Sequence, residues 1–312
     1  MDLLSFILHL TPLAQPDPAK PLPLWWGRAA HALLLHVVEQ ADPALAASLH
    51  ESPASQSDIE HRQSDIDHRQ SPIENLPRPF TVSTLMGHFP QGTLDPAGTY
   101  RLRFTSLQRN LTEILQQAAQ DGPLAPGAVV ELDYHPFRVE PSPIANRQSN
   151  IDNRQSQIGN RTSNIDHWLG ATTYTELGAA LLLAKVDPPR QVSLQFTSPT
   201  TFKSGGRHVP IPLPGLVFGS LLERWNAFAP ITFPPETKRY AEECLAVSRY
   251  ELSSRTVPSK GYGVRIGGVG SITYTTLNYD RYWMSVIGTL AAFALYSGVG
   301  ASTPMGMGQC RQ

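Results

Sequence analysis

Cysteine is nearly absent: Cys244 and Cys310 are the two in 312 residues, and no CxxC pair occurs. That excludes a disulfide-stapled scaffold and a zinc knuckle, and it suits a reducing compartment. Long hydrophobic runs are missing as well. The longest, SVIGTLAAFALYSGVG (285–300), follows Asp280 and Arg281 and falls short of the roughly 20 residues that cross a bilayer. The apolar start MDLLSFILHL carries Asp2 where a secretory signal carries positive charge. A cytoplasmic protein without membrane attachment is expected. No group of His, Cys, Asp and Glu has metal-ligand spacing, so neither a metal nor a cofactor is expected.

Net charge is also nearly absent at −1, but it is unevenly divided. From Arg190 onward there are twelve Lys/Arg against six Asp/Glu, a balance of +6, whereas the first 189 residues balance at −7. A basic second half points to a polyanionic partner. Hydrophobic residues make up 41% of the chain, enough to bury cores and to exclude wholesale disorder.

Two tracts stand apart in composition. SDIEHRQSDIDHRQSPIENLP (57–77) and SPIANRQSNIDNRQSQIGNRTSNIDHW (142–168) repeat a seven-residue unit with one isoleucine each, at 59, 66 and 73 and again at 144, 151, 158 and 165. A coiled coil needs two apolar positions per heptad. These tracts read as exposed inserted loops without catalytic duty, which sets aside His61, His68 and His167.

Outside the tracts a pattern occurs twice. LLSFILHLTPL reads as a strand, and WWGRAAHALLLHVVEQADPALAASLH as a helix with apolar residues at helical spacing. PFTVSTLMG, TYRLRFTSL and AVVELDYHPFRVE read as strands, with the helix LQRNLTEILQQAAQ before the last. The order recurs as strand VSLQFTSPTTF, helix GLVFGSLLERWNAFA, strands CLAVSRYELSSRTV and VGSITYTTL, helix RYWMSVIGTLAAFALYS and a short strand MGMGQCR. The fold class is α+β: two tandem ferredoxin-like (RRM-like) domains, β-α-β-β-α-β each, at 1–189 and 190–312. TYTELGAALLLAKVDPP would connect them.

SGVGASTPMGMGQC (297–310) holds Gly298, Gly300, Gly306 and Gly308. Dinucleotide and P-loop sites need a strand before the glycine loop and a helix after it. Here a helix precedes the loop, so a mononucleotide cradle is excluded. A glycine loop between helix and strand can instead set its amides against the phosphates of a polymer.

This stretch closely resembles the C-terminal glycine-rich loop of the CRISPR-associated repeat-RNA endoribonucleases, the Cas "six" family of the repeat-associated mystery protein superfamily. DPALAASLHE followed by PFTVSTL, the run FTSPTTFKSGGRHVPIPLPGLVFGSLLERWNAF, and GGVGSITYTTL also resemble segments of that family, in the family's order. The resemblance implies two ferredoxin-like domains and metal-independent cleavage of CRISPR precursor RNA within its repeats. In that chemistry the ribose 2′-OH attacks the adjacent phosphate, leaving a 2′,3′-cyclic phosphate and a 5′-OH. It needs a base, an acid and a cation near the developing charge.

On that resemblance His50 matches the general acid/base of several members, and Arg78 a position where some carry a phosphate-assisting lysine. Where some members have a tyrosine fifteen residues before the catalytic histidine, this chain has Leu35. His36 or His31 could take the second proton-transfer role, or both could be ordinary helix residues; His36 stands with His50 and Arg78 as the candidate catalytic set. RNA contact is expected from Lys203, Arg207, His208, Arg249, Arg255, Lys260 and Arg265, and from Gly298, Gly300, Ser302, Thr303, Gly306 and Gly308 of the loop. Ser302 stands where the family usually has a lysine. Repeat RNA or its crRNA product is the expected partner, with other effector-complex subunits a further possibility. A non-catalytic crRNA-binding subunit is the alternative, and an oligomeric scaffold a more distant one.

Overall fold

The computed structural model describes residues 1–13, 22–50, 77–141, 166–258 and 263–312. The bulk of both repeat tracts, and Lys260, lie outside these residues. His167 is described and exposed.

The first half opens with β1 (Leu3–Pro12), then α1 (Gly27–Ala41), α2 (Pro43–His50), β2 (Phe80–Val82), β3 (Tyr100–Ser106), α3 (Arg109–Asp121), β4 (Val129–Leu132), β5 (His135–Glu140), β6 (Gly170–Thr172) and α4 (Tyr174–Leu182). Its sheet runs β2-β3-β1-β5-β4, with β6 also paired to β1. The second half contains β7 (Gln191–Thr200), β8 (Phe202–Ser204), β9 (Arg207–Val209), α5 (Pro214–Phe228), α6 (Glu236–Cys244), β10 (Leu245–Pro258), β11 (Val264–Thr276), α7 (Arg281–Ser297) and β12 (Cys310–Arg311). Its sheet runs β10-β11-β7-β12. β1 lies between β3 and β5, and β7 between β11 and β12, the central placing of the first strand that a ferredoxin-like order has, so the tandem α+β fold is present. Among the described residues no helix is long and apolar enough to cross a membrane.

Three local readings change. The helix expected over 25–50 is two helices. Asp42 is extended (φ −148°, ψ 92°) and its carboxylate accepts from the Leu45 amide at 2.9 Å. It therefore caps a new helix beginning at Pro43, whose missing N–H suits a first turn. His50 accordingly ends α2 rather than the first helix. The strand expected over 128–140 is the hairpin β4–β5, turned by Asp133 and Tyr134 at φ 49° and 65°, the left-handed pair that a two-residue hairpin loop requires. The connector contains α4, started by a Thr173–Glu176 capping box.

Alternation explains how the sheets pack. In β1, Leu4, Leu8 and Leu10 face a core with Leu34 and Val38 of α1 and Leu111 and Leu115 of α3. Leu3 instead joins the second core, with Val192, Phe218, Ile287 and Phe293. Between the two cores lies Arg103 of β3, 1% exposed. It donates to Ser5 Oγ at 2.9 Å, to Gln309 Oε1 and to the Leu295 carbonyl. Trp168 is sandwiched by Arg103 and Arg311, guanidinium carbons 4.8 and 5.1 Å from its ring centre. Gln309 in turn donates to the Val82 carbonyl at 2.9 Å. A buried arginine thus ties α7 and the chain's end to the first sheet.

Candidate active site

The glycine loop leaves α7 at Gly298 (φ 60°), crosses Ser302 in the left-handed region (φ 59°), makes one 3-10 turn over Thr303–Met305, and returns through Gly306 and Gly308 to β12. Glycine is required at several of these points. A Cβ on Gly300 (φ 78°) would sit 2.4 Å from the Thr201 carbonyl oxygen, and one on Gly308 (φ 70°) 2.1 Å from that of Val299.

The loop's amides are turned inward. Val299 donates to Gly308 O at 2.8 Å, Ala301 to Thr201 O at 2.7 Å and Gly308 to Pro199 O at 3.1 Å. Gly300 and Gln309 donate to the hydroxyls of Ser220 and Ser198. Met305 and Met307 bond back to Ser302 O. Of the sequence-expected phosphate contacts in the loop, Ser302 and Thr303 are the two whose amides have no such bond among the described residues. What the loop offers outward is instead a row of carbonyls.

Those carbonyls meet the start of α1. Trp25 Nε1 donates to Met305 O at 2.7 Å, and Gly306 bridges to Ser83. Gly27 admits the approach, because a Cβ there would lie 1.9 Å from Met305 O. One helical turn on is His31, on the same face and 9% exposed. Its ring packs on Phe80, centroids 5.5 Å apart. Its Nδ1 is 3.0 Å from Pro304 O, and its Nε2 is 3.1 Å from Arg78 Nη1. A carbonyl only accepts and a guanidinium only donates, so the proton sits on Nδ1 and the lone pair on Nε2. Burial, the Arg78 charge and, less, His50 depress the imidazole to about 4, against the opposing Pro304 hydrogen bond. His31 is therefore neutral at pH 7.

The sequence-expected catalytic residues divide. Arg78 sits on His31, just before β2, and burial lowers its pKa from the usual arginine value. His50, exposed at the end of α2, is close enough for its charge to act on His31. His36 is five residues past His31, about 140° around the helix. It faces solvent, bonded to Gln40 at 2.9 Å and 4.0 Å from Glu39, outside the cluster. The sequence signal for His31 was its spacing three, four and seven residues before Leu34, Leu35 and Val38, which are buried on the apolar face.

Beside the loop is a basic group. Arg265 of β11 donates to Ser302 Oγ, so a guanidinium reaches the middle of the loop. Lys203 and His208 face each other across the β8–β9 hairpin. Burial and the charges of Arg265 and Lys203 lower the His208 pKa, which shows the three to be neighbours. Arg207 is exposed next to the hairpin turn, opposite Ser204. Arg249 and Arg255 are exposed on edge strand β10, opposite Thr273 and Gly267. Beneath the loop, Arg224 of α5, not singled out in the sequence, is 9% exposed; its signal was an arginine amid the apolar spacing of α5. Among the described residues no group of three or more His, Cys, Asp and Glu could hold a metal ion.

Fold and site together define a protein of two tandem ferredoxin-like units, with a buried histidine–arginine pair set against a C-terminal glycine loop. Residues 194–310 match the family model described as CRISPR-associated endoribonuclease Cas6. The Cas6 endoribonucleases of two Mycobacterium tuberculosis strains, CDC 1551 / Oshkosh and H37Rv, are each 33% identical over 125 residues. That stretch is 39% of this chain and spans 38% of those relatives' length. Over the whole chain, a Cas6 solved as its product complex is similar at 26% identity and a TM-score of 0.66, covering 99% of both chains. Thermus thermophilus Cas6, at 23% identity and a TM-score of 0.61 over 99% of this chain and 97% of its own, shares the fold.

Proposed function

We propose that this protein is a cytoplasmic endoribonuclease that cleaves CRISPR precursor RNA within its repeats, without a metal ion, leaving a 2′,3′-cyclic phosphate and a 5′-OH. The observation that carries the reading is the neutral His31 between Pro304 O and Arg78, at the seam of the two halves. The scissile phosphate pairs with the Arg78 guanidinium in a charge-assisted contact and draws it off Nε2. The phosphate charge offsets that of Arg78 and raises the imidazole pKa from about 4 toward its ordinary range. Nε2 then accepts the 2′-OH proton as O2′ bonds to phosphorus. The P–O5′ bond breaks, and His50 gives a proton to the leaving O5′. Arg78 remains on the phosphorane oxygens, where negative charge builds. Lys203, Arg207, His208 and Arg265 hold the flanking phosphates; Arg249 and Arg255 extend that basic surface.

The test is incubation with the repeat RNA of its own locus in EDTA. Cleavage ending in a cyclic phosphate, blocked by a 2′-deoxy at the scissile nucleotide, is expected. His31→Ala and Arg78→Ala should lose cleavage and keep salt-sensitive binding. Binding by the wild type without cleavage would make the protein a crRNA-binding subunit instead.

A further inference from the structure

We propose that Arg224, in the second half, is a positioning residue for His31 in the first, acting through the backbone of the glycine loop. The inference rests on the reading of His31 as the proton acceptor and adds what sets its tautomer.

Arg224 lies on the inner side of α5, one turn after Ser220. Its Nη1 donates to Ser220 Oγ at 2.6 Å. Its Nη2 donates to Gly300 O at 2.7 Å and to Thr303 Oγ1 at 3.1 Å. Ser220 Oγ also accepts from the Gly300 amide at 2.9 Å. Gly300 is thus held at both its N–H and its C=O by two side chains of one helix face. Thr303, three residues on, is held by the same guanidinium. Among the described residues no carboxylate lies within ion-pair distance of Arg224. A buried cation whose hydrogen-bond partners are all neutral, with Glu223 acting on it only from beyond ion-pair distance, is an expensive way to fill space, and an apolar side chain of that size would be cheaper. What the guanidinium adds is direction.

The two anchor points flank Ser302. Drawing Gly300 O and Thr303 Oγ1 toward one guanidinium closes the chain between them tightly enough to put Ser302 in the left-handed region at φ 59°. It also starts the 3-10 turn at Thr303. That turn aims Pro304 O at His31 Nδ1, 3.0 Å away, and Met305 O at Trp25 Nε1. The Pro304 carbonyl keeps the proton on Nδ1 and the lone pair on Nε2, toward Arg78 and the expected substrate. A histidine held in the wrong tautomer has no base at the reacting atom. The chain of contacts therefore runs from α5, through Gly300 and Thr303, to Pro304 and the imidazole.

The experiment uses the full-length protein with Arg224→Met, Arg224→Lys and Thr303→Val. Three quantities are read: the His31 tautomer from long-range ¹H–¹⁵N spectra, the single-turnover cleavage rate of repeat RNA, and affinity for the same RNA with a 2′-deoxy at the scissile site. Arg224→Met should mix the His31 tautomers and slow cleavage about 100-fold, as a misplacement of about 1 Å does, with affinity unchanged. Arg224→Lys, which can still reach Gly300 O, should recover most of both. Thr303→Val keeps the arginine and the side-chain volume and should move tautomer and rate in the same direction, so it carries the test if Arg224→Met fails to fold. An unchanged Nδ1–H tautomer in the folded variants, or an unchanged rate, overturns the proposal. If His31→Ala still cleaves, the catalytic reading of His31 fails, while the tautomer spectra still decide whether Arg224 positions it.

Discussion

Lowering the pH should weaken the fold through His31, by an amount the structure allows to be worked out. The folded imidazole, buried beside Arg78, is depressed from 6.5 to about 4. The unfolded chain takes up a proton near 6.5, and the folded protein refuses it until about 4. The contribution of this group is therefore fully present above pH 6.5 and is lost progressively as pH falls from 6.5 to 4. At about 1.4 kcal/mol per pH unit, the gap amounts to about 3 kcal/mol, a sizeable part of the 5–15 kcal/mol that ordinarily holds a domain. The assay is urea denaturation at fixed ionic strength between pH 7.5 and 4.5, comparing wild type with His31→Gln. Glutamine has an amide N–H for Pro304 and an oxygen for Arg78 but no proton to gain. Every other ionisable group is present in both proteins, so the difference between the two stability curves isolates His31. The wild type should lose about 2.5 kcal/mol more than the variant over the interval, which stops short of the folded pKa of about 4. RNA carrying a 2′-deoxy at the scissile nucleotide should shrink that difference, because its phosphate offsets Arg78. Parallel curves without RNA would refute the burial and charge argument, whatever their offset at pH 7.5.

Four further perturbations test other parts of the structure. Gly27→Ala should lower the melting temperature and slow cleavage, because its Cβ would meet Met305 O at 1.9 Å; alanine in a helix without that clash would stabilise by up to about 1 kcal/mol. Gln309→Ala should destabilise by about 1–3 kcal/mol in urea melts, since it strips a partner from Arg103 and from Val82 O. Arg103→Met, which removes the buried charge as well, should cost less than leaving that charge short of partners. Replacing Lys203 and Arg265 together should flatten the dependence of RNA affinity on salt by about one unit of log–log slope per lost phosphate contact. It should leave the His31 tautomer untouched.

Much of the fold was legible because period two and period three-to-four dominate its elements. The strand VSLQFTSPT buries every second residue along its first half, and α3 buries Leu111, Thr112, Leu115 and Ala118 on one face. Where the reading slipped, a local rule outweighed the period. The hydrophobic alternation of AVVELDYHPFRVE runs straight through a turn made by Asp133 and Tyr134, without the Asn-Gly or Asp-Gly pair that usually announces one. In QADPALAASLH the apolar spacing continues across Asp42, although the aspartate before a proline was the stronger signal. The polar stretch ETKRYAEEC buries Thr237, Tyr240 and Ala241 alone, too narrow an apolar stripe to announce α6. The site shows a different limit. Spacing alone turns His31 inward and His36 outward, but it is silent on what either meets. The partner of His31 is a carbonyl 273 residues away, and backbone carbonyls carry no side-chain signature.

That limit also bears on what the glycine loop is for. Four glycines in eleven residues invite the reading that amides reach for phosphate, and in this chain most of those amides are bonded inward. The glycines serve close packing: at Gly298, Gly300, Gly306 and Gly308 the backbone takes positive φ with neighbouring atoms within 3.0 Å of where a Cβ would be. This density lets one short loop touch β7, α5, α1 and the residues just after β2 at once. Its outward carbonyls then orient a histidine and a tryptophan of the other half. The two ferredoxin-like units therefore differ in their contribution to the site. The first supplies His31, Arg78 and His50, whereas the second supplies the loop carbonyl that meets His31 and the basic surface beside them. A substitution in the loop should accordingly change the rate more than the affinity, and one in the basic surface the reverse.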